Sequence, residues 1–273
     1  MKSKLIPLLY ITLHLCAQGA WAQVPDGSDM HLPRTPFCLQ SRAEVQLPPA
    51  VDNSTRKFFP PIFDQMGGSC AQASGIGYMF TYEINRLLDR DAHASADHRF
   101  SYQFSWNLLN DGQDQGDFVD QGLYLSERYG IMTEQDYGIS GTYQFKWATG
   151  YDKYYKALQY RTQEVLTFAD SIPLMKRWLY DAGDGSAVGG VLTFSAMSRG
   201  WEIDDDYQGP SLTGYRSLLK GLATDGAHAL TIAGYDDTVV YTDAQGTPHT
   251  GAFIVVNSWG THSHDRGRFY LPY

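Results

Sequence analysis

The chain has 273 residues, 43% of them hydrophobic and 19% charged, a composition suited to a globular protein with one large domain or two lobes sharing a cleft. Its 30 acidic against 21 basic residues give a net charge of -9, which excludes nucleic acid as an expected partner, because binding it needs a basic stripe. Beyond the N-terminus no apolar run approaches the ~18 residues that span a membrane, so no membrane span is expected.

The first 22 residues read as an address. Lys2 and Lys4 precede an apolar run from Leu5 to Leu15, and Ala20-Trp-Ala22 supplies a small-x-small cleavage site. Residues 1–22 are thus expected to be a signal peptide, 23–46 a short N-terminal segment and 47–273 the main domain, secreted or periplasmic after processing. Of the three cysteines, only Cys38 and Cys70 follow the leader, too few for a disulfide scaffold. Both are expected to be free thiols, and the fold must rest on its core. Asn53-Ser-Thr55 has the pattern of a glycosylation acceptor.

In Phe63-Asp-Gln-Met-Gly-Gly-Ser-Cys-Ala-Gln-Ala-Ser74 a lone cysteine stands at a glycine-rich turn where a helix is about to start. Apolar residues at Ile76, Met79, Phe80, Ile84, Leu87 and Leu88 predict a buried helix from Ala71 to Leu88, with Cys70 at its first turn. The unpaired N–H groups of a helix N-terminus stabilise a thiolate, so Cys70 is a candidate nucleophile whose pKa is expected to fall. Phe118 to Tyr129 reads as an amphipathic helix stopped by Gly130. The stretch from Tyr143 to Tyr160, rich in Tyr and Lys, reads as an insertion at a lobe boundary. Asp170-Ser-Ile-Pro173 caps a helix over Leu174 to Ala182. Strands are predicted at Ala187 to Phe194, Ala229 to Tyr235, Phe253 to Val256 and Arg268 to Leu271, and an extended hairpin over Asp236 to Thr250 has Asp-Ala-Gln-Gly at its tip.

A nucleophilic thiol needs a base, and the base needs an orienting partner. His228 heads one strand-like run and Asn257 ends another, so neighbouring strands could bring both to one edge of a sheet. An Asn amide accepting from one imidazole nitrogen would leave the other facing the thiol. Two motifs invite metal readings and are set aside: His262-Ser-His-Asp265 lacks a further ligand cluster, and Glu202-Ile-Asp-Asp-Asp206 lacks loop-site spacing and reads as a solvated loop. No metal and no cofactor is expected.

The Cys70 turn, the late His228 in a small-residue strand and Asn257-Ser-Trp-Gly260, in this order, resemble the papain-like cysteine peptidases. Leu47-Pro-Pro-Ala-Val-Asp52 is similar to that family's mature start, Gly116 to Tyr137 to its second helix and following turn, and Ser171 to Phe194 to the helix and strand entering its β lobe. The resemblance implies an α+β fold of two lobes, a helical lobe with Cys70 packed on a β-rich, barrel-like lobe with His228 and Asn257, and the active site in the cleft. It implies an oxyanion-binding role for Gln65, a lid over the His228–Asn257 pair for Trp259, and a backbone wall for bound peptide at Gly116. The pattern also departs from the family: Gln65 lies five rather than six residues before Cys70, Gly67 replaces a cysteine, and Ala71 stands where Trp is usual.

The expected activity is hydrolysis of peptide bonds in a peptide or protein substrate by a monomeric cysteine peptidase, through a thioester acyl-enzyme. Two other classes stay open on the residues: a peptide-binding protein that keeps the fold without turnover, and an acyl or amide transferase.

Overall fold

The computed structural model describes residues 6–9, 34–37, 45–111, 113–138, 147–168, 171–221, 223–243 and 246–273. The helix predicted after the glycine-rich turn starts at Cys70 and runs without a break through Cys70–Gln72, a wider π-helical stretch Ala73–Phe80, and Thr81–Leu88. It is buried from Ala71 through Asn85, but Leu87, expected in the core, is exposed, on the solvent side of a last turn whose Leu88 still packs on the core. Tyr102–Leu109 and Val119–Tyr129 pack around it, the latter ended by Gly130 as predicted. Phe80, Tyr82, Phe100, Phe104 and Leu123 form the core of this helical lobe.

The second lobe is a seven-stranded sheet. Asp225–Thr242 is its long central strand, flanked by Ala50–Asp52 and Pro248–Val256 and also paired with Leu192–Arg199. Arg268–Pro272, Leu218–Gly221 and Glu202–Asp204 continue it outward. The central hairpin is as extended as the sequence suggested, although Ala244 and Gln245 at its tip lie outside the described residues. Ile172–Asp181 packs Trp178 and Leu179 on the sheet, with Ser171 as its cap and Pro173 in the first turn. Leu192, Phe194, Leu230, Ile232, Tyr235, Val255 and Phe269 fill the core.

Two strand expectations need correction. The strand predicted from Ala187 begins at Leu192, because Gly189 and Gly190 first pass so close to the Leu179 carbonyl and the Trp178 ring that a β-carbon would collide there. Glu202-Ile-Asp-Asp-Asp206, read as a solvated loop, instead begins with a strand that pairs with Leu218–Gly221. Asn53 is also not a surface acceptor. It is fully buried and donates to the carbonyls of Leu179 and Gly190, so a glycan has no access in the folded state.

Of the Tyr143 to Tyr160 stretch, the described part holds the helix Tyr151–Ala157, with Tyr151 and Tyr155 exposed and Ala157 buried. A separate small sheet places Thr162–Thr167 between Arg34–Pro36 and Ile6–Leu9, both parallel to it; Ile6–Leu9 lies within the stretch read as a leader.

The two lobes are joined by buried polar contacts. Ser74, on the Cys70 helix, shares a hydrogen-bonded cluster with Thr193 and Thr231 of the sheet, at 2.9 Å to Thr231. Nine residues on, Glu83 Oε1 accepts from the Val191 N–H at 2.9 Å while pairing with Arg86. Buried bonds of this kind fix the register of helix against sheet, because a slip would leave each group desolvated and unpaired.

Candidate active site

The turn before Cys70 is stitched to the segment after Asn257. Gln65 N–H donates to the Ser258 carbonyl at 2.7 Å, Gly260 N–H donates to the Phe63 carbonyl at 3.1 Å, and Asp64 pairs with Trp259 as an isolated antiparallel bridge. The Phe63 ring stacks on both Tyr78 and Tyr102, anchoring the turn to the helical lobe. Gly67 has a φ of +53°, and a β-carbon on Gly68 would lie 2.8 Å from the Gln115 backbone. Glycines are needed at both places, and they let the turn pack against the chain at Gln115–Gly116. Gly116, expected as a substrate-facing wall, therefore borders the nucleophile turn.

Cys70 is half-buried and free. Cys38, also expected to be free, lies outside the described residues. Cys70 packs against the cluster that includes Ala229, which sets the thiol beside the strand residue that follows His228. The expected fall in the thiol pKa is reversed at this site. Burial pushes it up, the N–H groups of Ala229, Ala71 and Cys70 itself pull it back less, and the Asp117 carboxylate adds to the upward push. Desolvation outweighs the helix terminus here, so a thiolate requires a partner to take its proton.

His228 and Asn257 meet because of strand register. Thr231 pairs with Val256 in the antiparallel hairpin, so His228, three positions before Thr231, and Asn257, one after Val256, fall at the same end of the ladder. His228 Nε2 donates to Asn257 Oδ1 at 2.9 Å. The same oxygen accepts from the Ser258 N–H at 2.8 Å, which fixes the orientation of the amide. The proton of neutral His228 is then on Nε2, and Nδ1 is left as the basic atom. Trp259 stacks on the imidazole at 4.6 Å between ring centroids, and Trp201 meets it edge-on at 6.4 Å. Burial pushes the His228 pKa down, opposed by the Asn257 hydrogen bond, with nearby His264 adding to the downward push.

The Gln65 amide is held at both ends. Its Oε1 accepts from Ser258 Oγ at 2.6 Å and its Nε2 donates to the Gly67 carbonyl at 2.9 Å, which leaves one N–H of the amide to donate elsewhere.

The sequence reading missed three groups around these residues. Trp201 forms the second aromatic wall of His228. Asp117, next to Gly116, has both carboxylate oxygens buried without a well-formed hydrogen bond among the described residues, and burial lifts its pKa to about 7 against the opposing effects of Gln72 and its own N–H. His264 contacts the far side of Asn257. Its motif was visible in sequence, where a metal reading was set aside, but nothing in the motif pointed to Asn257; among the described residues no group of three or more His, Cys, Asp or Glu could hold a metal ion.

No protein-family model and no curated protein matches this sequence. Solved structures do. One is xylellain, a cysteine protease from Xylella fastidiosa, at 19% identity and a TM-score of 0.60, covering 91% of this chain and 88% of that one. Another is a procathepsin B from Trypanosoma congolense, at 17% identity and a TM-score of 0.59, covering 93% of this chain and 80% of that one. At these identities the likeness establishes architecture, and the chain has the papain-like α+β fold.

Proposed function

We propose that this chain is an exported cysteine peptidase that hydrolyses peptide bonds through a thioester on Cys70. The observation that carries the reading is the His228–Asn257 hydrogen bond at the end of a strand whose Ala229 packs in one cluster with Cys70. The likeness in fold to two proteases supports it.

In this reading Cys70 passes its proton to His228 Nδ1 as the sulfur bonds to the substrate carbonyl carbon. The resulting oxyanion accepts from the Cys70 backbone N–H and from the remaining Gln65 N–H, an interaction worth about 2.7–4 kcal/mol per donor in a comparable hydrolase. The C–N bond then breaks, and His228 gives the proton to the leaving amine. Water attacks the thioester while His228 takes its proton, and breakage of the C–S bond returns the thiol. Asn257 moves no proton. It keeps the imidazole in the tautomer that leaves Nδ1 free, and Trp259 shields that hydrogen bond from water. No step calls for a metal or an organic cofactor.

The direction of the two proton affinities, Cys70 upward and His228 downward, also supports a second reading, a peptide-binding protein that does not turn over. Incubation with a diverse peptide mixture beside a Cys70→Ala control separates them. Cleavage products that depend on Cys70 support the peptidase; binding of peptides to both proteins without products overturns it. Adding an amine acceptor and analysing products distinguishes hydrolysis from acyl transfer.

A further inference from the structure

Two motifs with no place in the reaction above, His262-Ser-His-Asp265 and Glu202-Ile-Asp-Asp-Asp206, meet behind Asn257. Asn257 Nδ2 lies 3.2 Å from His264 Nε2, and His264 Nδ1 lies 3.6 Å from Asp205 Oδ1. Asp205 is itself held by Ser217 Oγ at 2.7 Å. The His264 side chain is 10% exposed, with its ring against Phe269 and Trp259.

Proton positions along this line follow from what each atom can do. Asn257 Oδ1 already accepts from His228 and from the Ser258 N–H, so the amide nitrogen faces His264, and an amide nitrogen can only donate. His264 Nε2 is therefore the acceptor. The ring is neutral with its proton on Nδ1, toward Asp205. Rotating the Asn257 amide by half a turn would set its NH2 against the donors of His228 and Ser258 and its oxygen against the lone pair of His264. Every contact would become like against like.

The backbone does not ask for an imidazole here. His264 has a φ of +51°, a conformation in which glycine is relaxed and a β-carbon is strained. A side chain kept at such a position and buried against the orienting residue of the base points to a role for the ring itself.

We propose that His264 is a positioning residue: its neutral imidazole, accepting at Nε2 from the Asn257 amide and facing the exposed Asp205 carboxylate at 3.6 Å through Nδ1, locks that amide in the orientation that serves His228. The inference rests on the Cys70–His228–Asn257 reading. It differs from a structural role in a way that can be measured, because removal of the ring relieves backbone strain while freeing the amide to turn.

The test uses the full-length processed protein and three measurements. His264→Gly is expected to keep or raise the melting temperature, to lower kcat by about 10- to 100-fold, as loss of outer partners of catalytic groups commonly does, and to leave KM unchanged. His264→Gln puts an amide oxygen near the place of Nε2 and is expected to recover most of the lost kcat. Long-range 1H–15N spectra of Cys70→Ala protein are expected to show His264 protonated on Nδ1 alone. A His264→Gly enzyme with undiminished kcat, or a His264 ring protonated on Nε2 at neutral pH, overturns the proposal. If the wild type cleaves no peptide, the peptidase reading fails by itself, and the tautomer measurement still decides the role of His264.

Discussion

The two sides of the cleft are built in opposite ways. On the His228 side the polar atoms that surround the base are engaged: His228 Nε2, both ends of the Asn257 amide, Ser258 Oγ and Gln65 Oε1 have partners, and only the Trp201 indole N–H stands buried without one among the described residues. On the Cys70 side, Ser69 Oγ, Gln72 Oε1 and both Asp117 oxygens are buried without a well-formed hydrogen bond among the described residues. The first side is ordered by hydrogen bonds with unique donor and acceptor roles. The second side sits in a desolvated, unsatisfied setting that raises the free energy of charge, and this makes proton transfer from the thiol depend on its partner across the cleft.

The largest expected effects separate chemistry from orientation. Cys70→Ala is expected to abolish alkylation by a peptide epoxide and all turnover, measured by intact mass and product analysis. Gln65→Ala should lower kcat by about 10²–10³-fold through loss of an oxyanion donor, with little change in KM. Asn257→Ala should cost about 10- to 100-fold in kcat yet leave Cys70 able to be acylated slowly, since Asn257 only orients the base. Full turnover in Asn257→Ala would mean that the hydrogen-bonded side of the cleft does not orient the base.

A smaller effect tests the unsatisfied side. With a folded pKa of about 7 against an ordinary value of 3.8, Asp117 stays protonated in the native state while the unfolded chain ionises. Between these values the native state binds more protons than the unfolded state, so stability falls as pH rises through this window. Asp117→Asn should therefore be near neutral for stability at pH 4 and stabilising by up to about 4 kcal/mol above pH 7, read from denaturant unfolding at the two pH values. The same change removes a carboxylate that pushes the Cys70 thiol up, so iodoacetamide should alkylate Cys70 faster at a fixed pH near 8. A stabilisation of equal size at both pH values would show that Asp117 is not a buried acid, and the contrast between the two sides would lose its main support.

Legibility in the sequence followed the range of the interactions. The Cys70 helix, the stop at Gly130 and the cap at Ser171 depend on residues within a turn or two, and all three were read correctly. The hairpin that unites His228 with Asn257 was readable because two apolar runs flank a turn. The late start of the strand at Leu192 was not, because its cause is the Leu179 carbonyl and the Trp178 ring lying against Gly189 and Gly190. Asn53 looked like a surface acceptor for the same reason: its burial is decided by carbonyls at Leu179 and Gly190.

By itself the sequence determined on which elements the candidate residues sit, since helix starts, strand alternation and turn residues are set by local backbone preference and spacing. Only the tertiary structure decided their electrostatic condition. Burial raised the Cys70 thiol against the pull of its helix terminus, lifted Asp117 to about 7 and lowered His228, and none of these can be read from neighbours in the chain. It also joined His264 and Asp205, from two motifs far apart in the chain, into one line behind Asn257. Desolvation and hydrogen-bond direction depend on what folds over a group, and that is fixed by packing between distant segments.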